Sequence, residues 1–172
     1  AVRATVWSKA VPGPQIARQE KPRVSAFLDG RVDRIVDLQP DLVIGFSDMQ
    51  AELANKLIRA GLDVLVTNQR SVEEIVAIMR LVASMVGASD RAEEWITACQ
   101  NRHREMAAAA SSWPRRPRVY FEEWDEPMIS AIRWVSELIT IAGGDDVFPE
   151  LATQKMGRDR VIADPQEPVQ RA

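Results

Sequence analysis

One cysteine (Cys99), one histidine (His103) and one tyrosine (Tyr120) are all that this 172-residue chain holds of those three types. A lone thiol closes no internal disulfide. A zinc site takes about three or four cysteine, histidine or acidic ligands, and Cys99 with His103 on one helix does not supply them. Nothing nearby orients the imidazole for Cys–His catalysis, so the pair reads as a buried thiol and a partly exposed ring. An excess of charge is missing too: 22 Lys and Arg stand against 25 Asp and Glu, a net charge of −3. The arginines are scattered apart from the short cluster "WPRRPR" (113–118), so the basic stripe of a nucleic-acid binder is lacking. No apolar run reaches the roughly 18 residues that a membrane span needs, and no signal peptide is visible.

What is present is ordinary for a globular chain: 46% hydrophobic and 27% charged residues, enough to bury a core without staples. Strand and helix patterns alternate, the mark of an α/β fold. "PRVSAF" (22–27) reads as a short strand. "GRVDRIVDLQ" (30–39) puts Val32, Ile35, Val36 and Leu38 on one helical face, and Pro40 ends it. "DLVIGF" (41–46) is a near-continuous apolar run, as in a buried parallel strand. Ser47 followed by Gln50 fits a capping box for a helix whose stripe is Leu53, Leu57 and Ile58, with Gly61 at its stop. "LDVLVTN" (62–68) is a further strand. Ser71 and Glu74 form a second capping box before a helix that runs to Gly87. Residues 90–112 predict a long helix, roughly 35 Å at 1.5 Å per residue, with Trp95, Ile96, Cys99, Met106 and Ala110 as its apolar face and Pro114 as its end.

The second half opens with the strand "RVYFEE" (118–123). A helix over 130–142 carries Trp134, Leu138 and Ile141, and Gly143-Gly144 stops it. Residues 145–160 read as irregular. Asp164, Pro165 and Glu167 open another helix. That last helix reads as the run-up to a strand that the chain does not contain. Two small parallel-sheet α/β lobes joined by one long helix are therefore expected, incomplete at both ends: a first lobe over 1–88, the connecting helix over 89–113 and a second lobe over 114–172.

Strand ends are where open α/β sheets bind ligands. At one such end stands "FEEWDEPMISAIRW" (121–134). Trp124, among charges just past a strand, offers a large aromatic area at little entropic cost. Trp134 lies in a helical stripe and admits both a core and a pocket role. Glu122 and Glu123, adjacent on a strand, point to opposite faces and do not make a catalytic pair. "GFSDMQ" (45–50) is the equivalent place in the first half, with Phe46 open to core or pocket and Ser47 engaged as the cap. Glu52 and Glu167 sit in first helical turns, where the helix dipole favours acids.

Taken together, "KPRVSAFLDGRVDRIVDLQPDLVIGFSDMQAELANKLIRAGLDVLVTNQRSVEEIVAIMRLVASMVG" resembles the first lobe of the helical-backbone substrate-binding proteins of ABC importers, the family that carries cobalamin, ferric siderophores and haem. "RVYFEEWDEPMISAIRWVSELITIAGGDDVF" resembles the opening of its second lobe, and "DRVIADPQEPVQRA" the helix before a later strand. The resemblance implies an extracytoplasmic protein without a catalytic step, a large ligand held between the lobes, and an ABC permease as partner. By position it implies Phe27, Phe46, Ser47, Glu123, Trp124, Trp134 and Arg160 as ligand-binding residues. It implies Glu52 and Glu167 as permease-docking acids. Phe and Trp at these positions suit cobalamin or another corrinoid, transported rather than held as a cofactor. A ferric-siderophore or haem binder is the alternative within the class. A two-lobed enzyme using Glu123 as acid or base, and a sensor that kept the fold, are the alternatives outside it.

Overall fold

The computed structural model describes Val24 and residues 30–171. Phe27 and, apart from Val24, the strand expected at 22–27 fall outside the described residues. The chain divides into two compact units, residues 1–69 and 70–172.

In the first unit, helix α1 (Val32–Asp37) precedes strand β1 (Val43–Gly45). A 3₁₀ turn (Asp48–Gln50) then leads into helix α2 (Ala51–Arg59), followed by strand β2 (Val64–Val66). The strands pair in parallel, with Val43 opposite Val64 and Gly45 opposite Val66. The β1–α2–β2 crossover follows from the expected alternation of apolar strand and amphipathic helix. Val24, Ile35 and Leu57 form the buried core, with Val32, Leu38, Val43, Leu53, Leu62 and Val64 packed around them. Ile58 is a departure from the expected stripe. It is exposed, and Ala54 takes the buried position beside Leu57.

In the second unit, helices α3 (Val72–Met85) and α4 (Ser89–Ala110) are joined by three residues and pack on each other. Helix α5 (Arg133–Ile141) packs on both. Ile96 and Ala110 are buried on α4, whereas Trp95 and Met106, expected on its apolar face, are exposed. Strand β3 (Arg118–Val119) pairs in parallel with β6 (Asp145–Asp146). Between them, β4 (Glu122–Asp125) and β5 (Met128–Ser130) form an antiparallel hairpin whose turn contains a cis Glu126–Pro127 bond. Helix α6 (Pro149–Ala152), a 3₁₀ turn (Gly157–Arg160) and helix α7 (Glu167–Arg171) complete the unit. Val147, Phe148 and Ile162 form its buried cluster, with Tyr120, Met128 and Leu151 against it.

Each unit thus carries a small parallel sheet flanked by helices, as the alternation predicts. Two details of the second half differ. The single strand expected over 118–123 is two strands in two different sheets, and the segment expected to be irregular contains β6 and α6. Neither short strand has a periodicity of its own. Each is defined by its partner rather than by its side chains.

Candidate functional site

The described candidate residues of the first unit stand where β1 gives way to α2. Ser47 has extended backbone, and its hydroxyl accepts the Met49 N–H at 3.2 Å while donating to Asp48 Oδ1 at 3.1 Å. The cap therefore serves the 3₁₀ turn rather than the α-helix. Gln50 reaches back as a capping glutamine should, yet its Oε1 accepts from Phe46 N at 2.9 Å instead of from Ser47. Ser47 is buried and Phe46 half-buried. Glu52, in the first turn of α2, is exposed.

In the second unit the site is built on the β4–β5 hairpin. Glu122 lies opposite Ser130, and Trp124 opposite Ile129, so Glu123 is the extra residue of a bulge in β4. A bulge re-aims a side chain out of the strand's alternation, and the Glu123 carboxylate is directed at Arg160. The two form a bidentate pair, Nη1–Oε2 at 2.6 Å and Nη2–Oε1 at 2.9 Å. Arg160 Nη1 also donates to the Ser130 carbonyl at 2.6 Å, and Glu123 Oε2 accepts the Ile132 N–H at 3.1 Å. Ile132 is the N-cap residue of α5. One carboxylate thus ties together β4, the start of α5 and the 3₁₀ turn. Arg160 is only 1% exposed, and its Nε–H has no partner among the described residues, whereas the Glu123 side chain is 36% exposed.

Trp124 is placed differently. It is 60% exposed, yet its indole Nε1–H donates to the Glu126 carbonyl at 3.0 Å. The ring is held by its polar edge while its face meets solvent. Trp134, in the first turn of α5, is half-buried. Glu123, Trp124, Trp134 and Arg160 therefore cluster around the hairpin and the start of α5.

Two neighbouring groups were not expected. Tyr120 packs edge-on against Phe148, with ring centroids 5.9 Å apart at 70°. Burial, with the Glu122 carboxylate accepting its O–H bond at 3.1 Å, pushes its phenol up to about 12. Arg171 lies 4.5 Å over the Phe148 ring and binds Glu150, the Val147 carbonyl (3.0 Å) and Glu167 (2.7 Å). Glu167 is thus held within its own helix, unlike Glu52. A groove of roughly 780 Å³, lined by Met79, Val82, Val86 and Trp95 among others, lies between α3 and α4 and includes none of the candidate residues.

The family model described as "Periplasmic binding protein" matches residues 3–166. The chain belongs to this family. Membership places it among extracytoplasmic binding proteins rather than enzymes. A "Vitamin B12-binding protein" of Salmonella typhi is 25% identical over 152 residues, covering 84% of this chain and 56% of the relative. Two solved structures share the fold. A periplasmic vitamin B12 binding protein of Vibrio cholerae has a TM-score of 0.64 at 21% identity, covering 84% of this chain and 56% of that one. A periplasmic heme binding protein from Pseudomonas aeruginosa has a TM-score of 0.66 at 22% identity, covering 78% and 51%. The chain spans about half the length of the curated relatives it matches.

Proposed function

We propose that the protein is the extracytoplasmic solute-binding component of an ABC importer and captures one large metal-bearing macrocycle for delivery to the permease. The observation that carries this reading is Trp124, a broad aromatic face presented to solvent and pinned by its N–H to the Glu126 carbonyl. A ring already fixed loses little freedom when a flat ligand stacks on it. Phe46 in the first unit and Trp134 in the second are proposed as further apolar contacts, with Ser47 beside Phe46 as a polar one; Phe27 keeps the same proposed role. Helix α4 is proposed to serve as the lobe-connecting helix. Glu52 is proposed as a permease-docking acid, since it is exposed in a first helical turn. Glu167 is the weaker candidate for a second, being paired with Arg171.

Haem and cobalamin are the two ligands this reading carries. The vitamin B12-binding relatives favour the corrinoid, and the haem-binding structure favours haem. Both are large, metal-bearing tetrapyrroles, and an indole face serves either. A ferric siderophore, more polar and more anionic, is the third arm of the test.

Tryptophan fluorescence of the complete natural protein, titrated in parallel with cyanocobalamin, haemin and a ferric siderophore and corrected for inner-filter absorption, tests the reading. Saturable quenching by one of them, confirmed by calorimetry, is expected. Trp124→Ala weakens that binding at least tenfold, or about 1.4 kcal/mol. Unchanged affinity in this variant removes Trp124 from the site. Glu52→Arg leaves ligand affinity unaltered and impairs uptake in cells; normal uptake removes Glu52 from docking.

A further inference from the structure

We infer that Arg160 and Glu123 are positioning residues. Their ion pair, buried on the Arg160 side, holds the bulged β4 strand so that the adjacent Trp124 presents its face in one fixed pose, and the pair acts on the ligand through that indole. This rests on the reading of Trp124 as a ligand contact.

Four observations converge on it. Arg160 is 1% exposed and its two terminal nitrogens are already engaged, Nη1 with both Glu123 and the Ser130 carbonyl, Nη2 with Glu123. Enclosure rather than saturation keeps it from an anionic ligand: its Nε–H has no hydrogen-bond partner among the described residues, yet the side chain is shut off from solvent. Its partner is the bulge residue itself, immediately before Trp124. A bulge leaves one residue without a ladder partner, and here the side chain of that residue supplies the missing restraint. The same carboxylate oxygen accepts the Ile132 N–H at the start of α5, which couples Trp124's strand to the helix that carries Trp134. Finally, the residues that follow Arg160 run along the free edge of β5, with Val161 bridging Ile129 and Ile162 N donating to the Met128 carbonyl at 2.8 Å. Arg160 is therefore anchored from behind. Arginine suits this place better than lysine because its planar fork meets a carboxylate with two parallel bonds and keeps a third for a carbonyl.

The experiment uses the complete protein, with cyanocobalamin and haemin as probes. Arg160→Met keeps the bulk and removes the fork. For whichever probe binds the parent, Arg160→Met is expected to lose most of the roughly tenfold affinity that Trp124→Ala loses. The double variant is expected to be no weaker than Trp124→Ala alone, since the pair acts only through the indole. Losses that multiply in the double variant overturn the inference and make Arg160 a direct ligand contact. Full affinity in Arg160→Met, with only a lower Tm, also overturns it and leaves the pair a purely stabilising one.

A ligand-free readout separates this from failure of the Trp124 reading. The near-ultraviolet circular dichroism of the parent minus that of Trp124→Phe isolates the signal of a fixed Trp124 ring. In the Arg160→Met background that difference is expected to collapse, and its persistence overturns the positioning role even if Trp124→Ala proves silent in binding. Should Arg160→Met fail to fold, Arg160→Lys and Glu123→Gln take its place. Each keeps part of the bonding, and each is expected to retain an intermediate dichroism signal and intermediate affinity.

Discussion

Gly61 and Gly143 end a helix in each unit and share a backbone: φ is +83° at the first and +88° at the second. Both helices close with the same pair of backbone bonds. Leu62 N reaches Leu57 O at 3.1 Å in one, and Gly144 N reaches Ile139 O at 2.9 Å in the other. Their surroundings differ. A Cβ on Gly61 would meet nothing within 4 Å, whereas one on Gly143 would lie 2.3 Å from the Cβ of Ala110 at the end of α4. The first glycine is required by the local turn alone. The second is required by the turn and again by a helix end that packs against it. The same contrast runs through the candidate site, where Ser47 satisfies its neighbours and Arg160 satisfies residues about thirty positions or more away.

The largest effect is expected at Gly143→Ala. Left-handed strain and a contact far inside van der Waals distance should together cost about 3 kcal/mol, read as a lower denaturant midpoint. Gly61→Ala carries the conformational term only and should cost about 1 kcal/mol. Asparagine sharpens the comparison, because it tolerates left-handed backbone. Gly61→Asn should recover most of that loss, and Gly143→Asn none of it. Equal costs at the two positions would erase the distinction drawn here.

The two serine caps give the next smaller difference. Ser71 accepts Glu74 N at 3.1 Å, while Glu74 Oε2 accepts Ser71 N at 3.1 Å, a complete reciprocal box over the 14 residues of α3. Ser71→Ala should cost about 1 kcal/mol, and Ser47→Ala, which caps only a 3₁₀ turn, about half that. The smallest effect is one of pH. Bonds from Arg70 N and then Ser71 N hold the Glu74 carboxyl below its ordinary range. Its contribution is present at neutral pH and is lost as the pH falls below the usual glutamate value of about 4.3 and through the lowered folded one. Glu74→Gln should therefore lower stability slightly at pH 7 and flatten its fall between pH values of about 5 and 3. An unchanged acid limb would show that another carboxylate sets it.

Both glycine stops, the Ser71 box, the strand at 43–45 and the long helix were legible in the sequence. Each depends on residues within about four positions of one another. The site was legible only in outline. Trp124 stood out because an indole among acids is out of place in a core. That it lies in a strand of a hairpin, and that Glu123 and Arg160 pair with each other, left no local trace. The sequence "RVYFEE" reads as one strand because pairing partners are not written into it. The chain leaves the β3–β6 sheet after Val119 and enters another at Glu122.

The sequence by itself therefore determined the alternation of elements, their caps and stops, and the family to which the chain belongs. Backbone bonding within a few residues and the period of apolar side chains decide these. Only the tertiary structure decided which strand pairs with which, which glycine is crowded, and that Arg160 is spent on Glu123 across 37 positions. Those outcomes depend on where distant segments meet, and no local spacing encodes that.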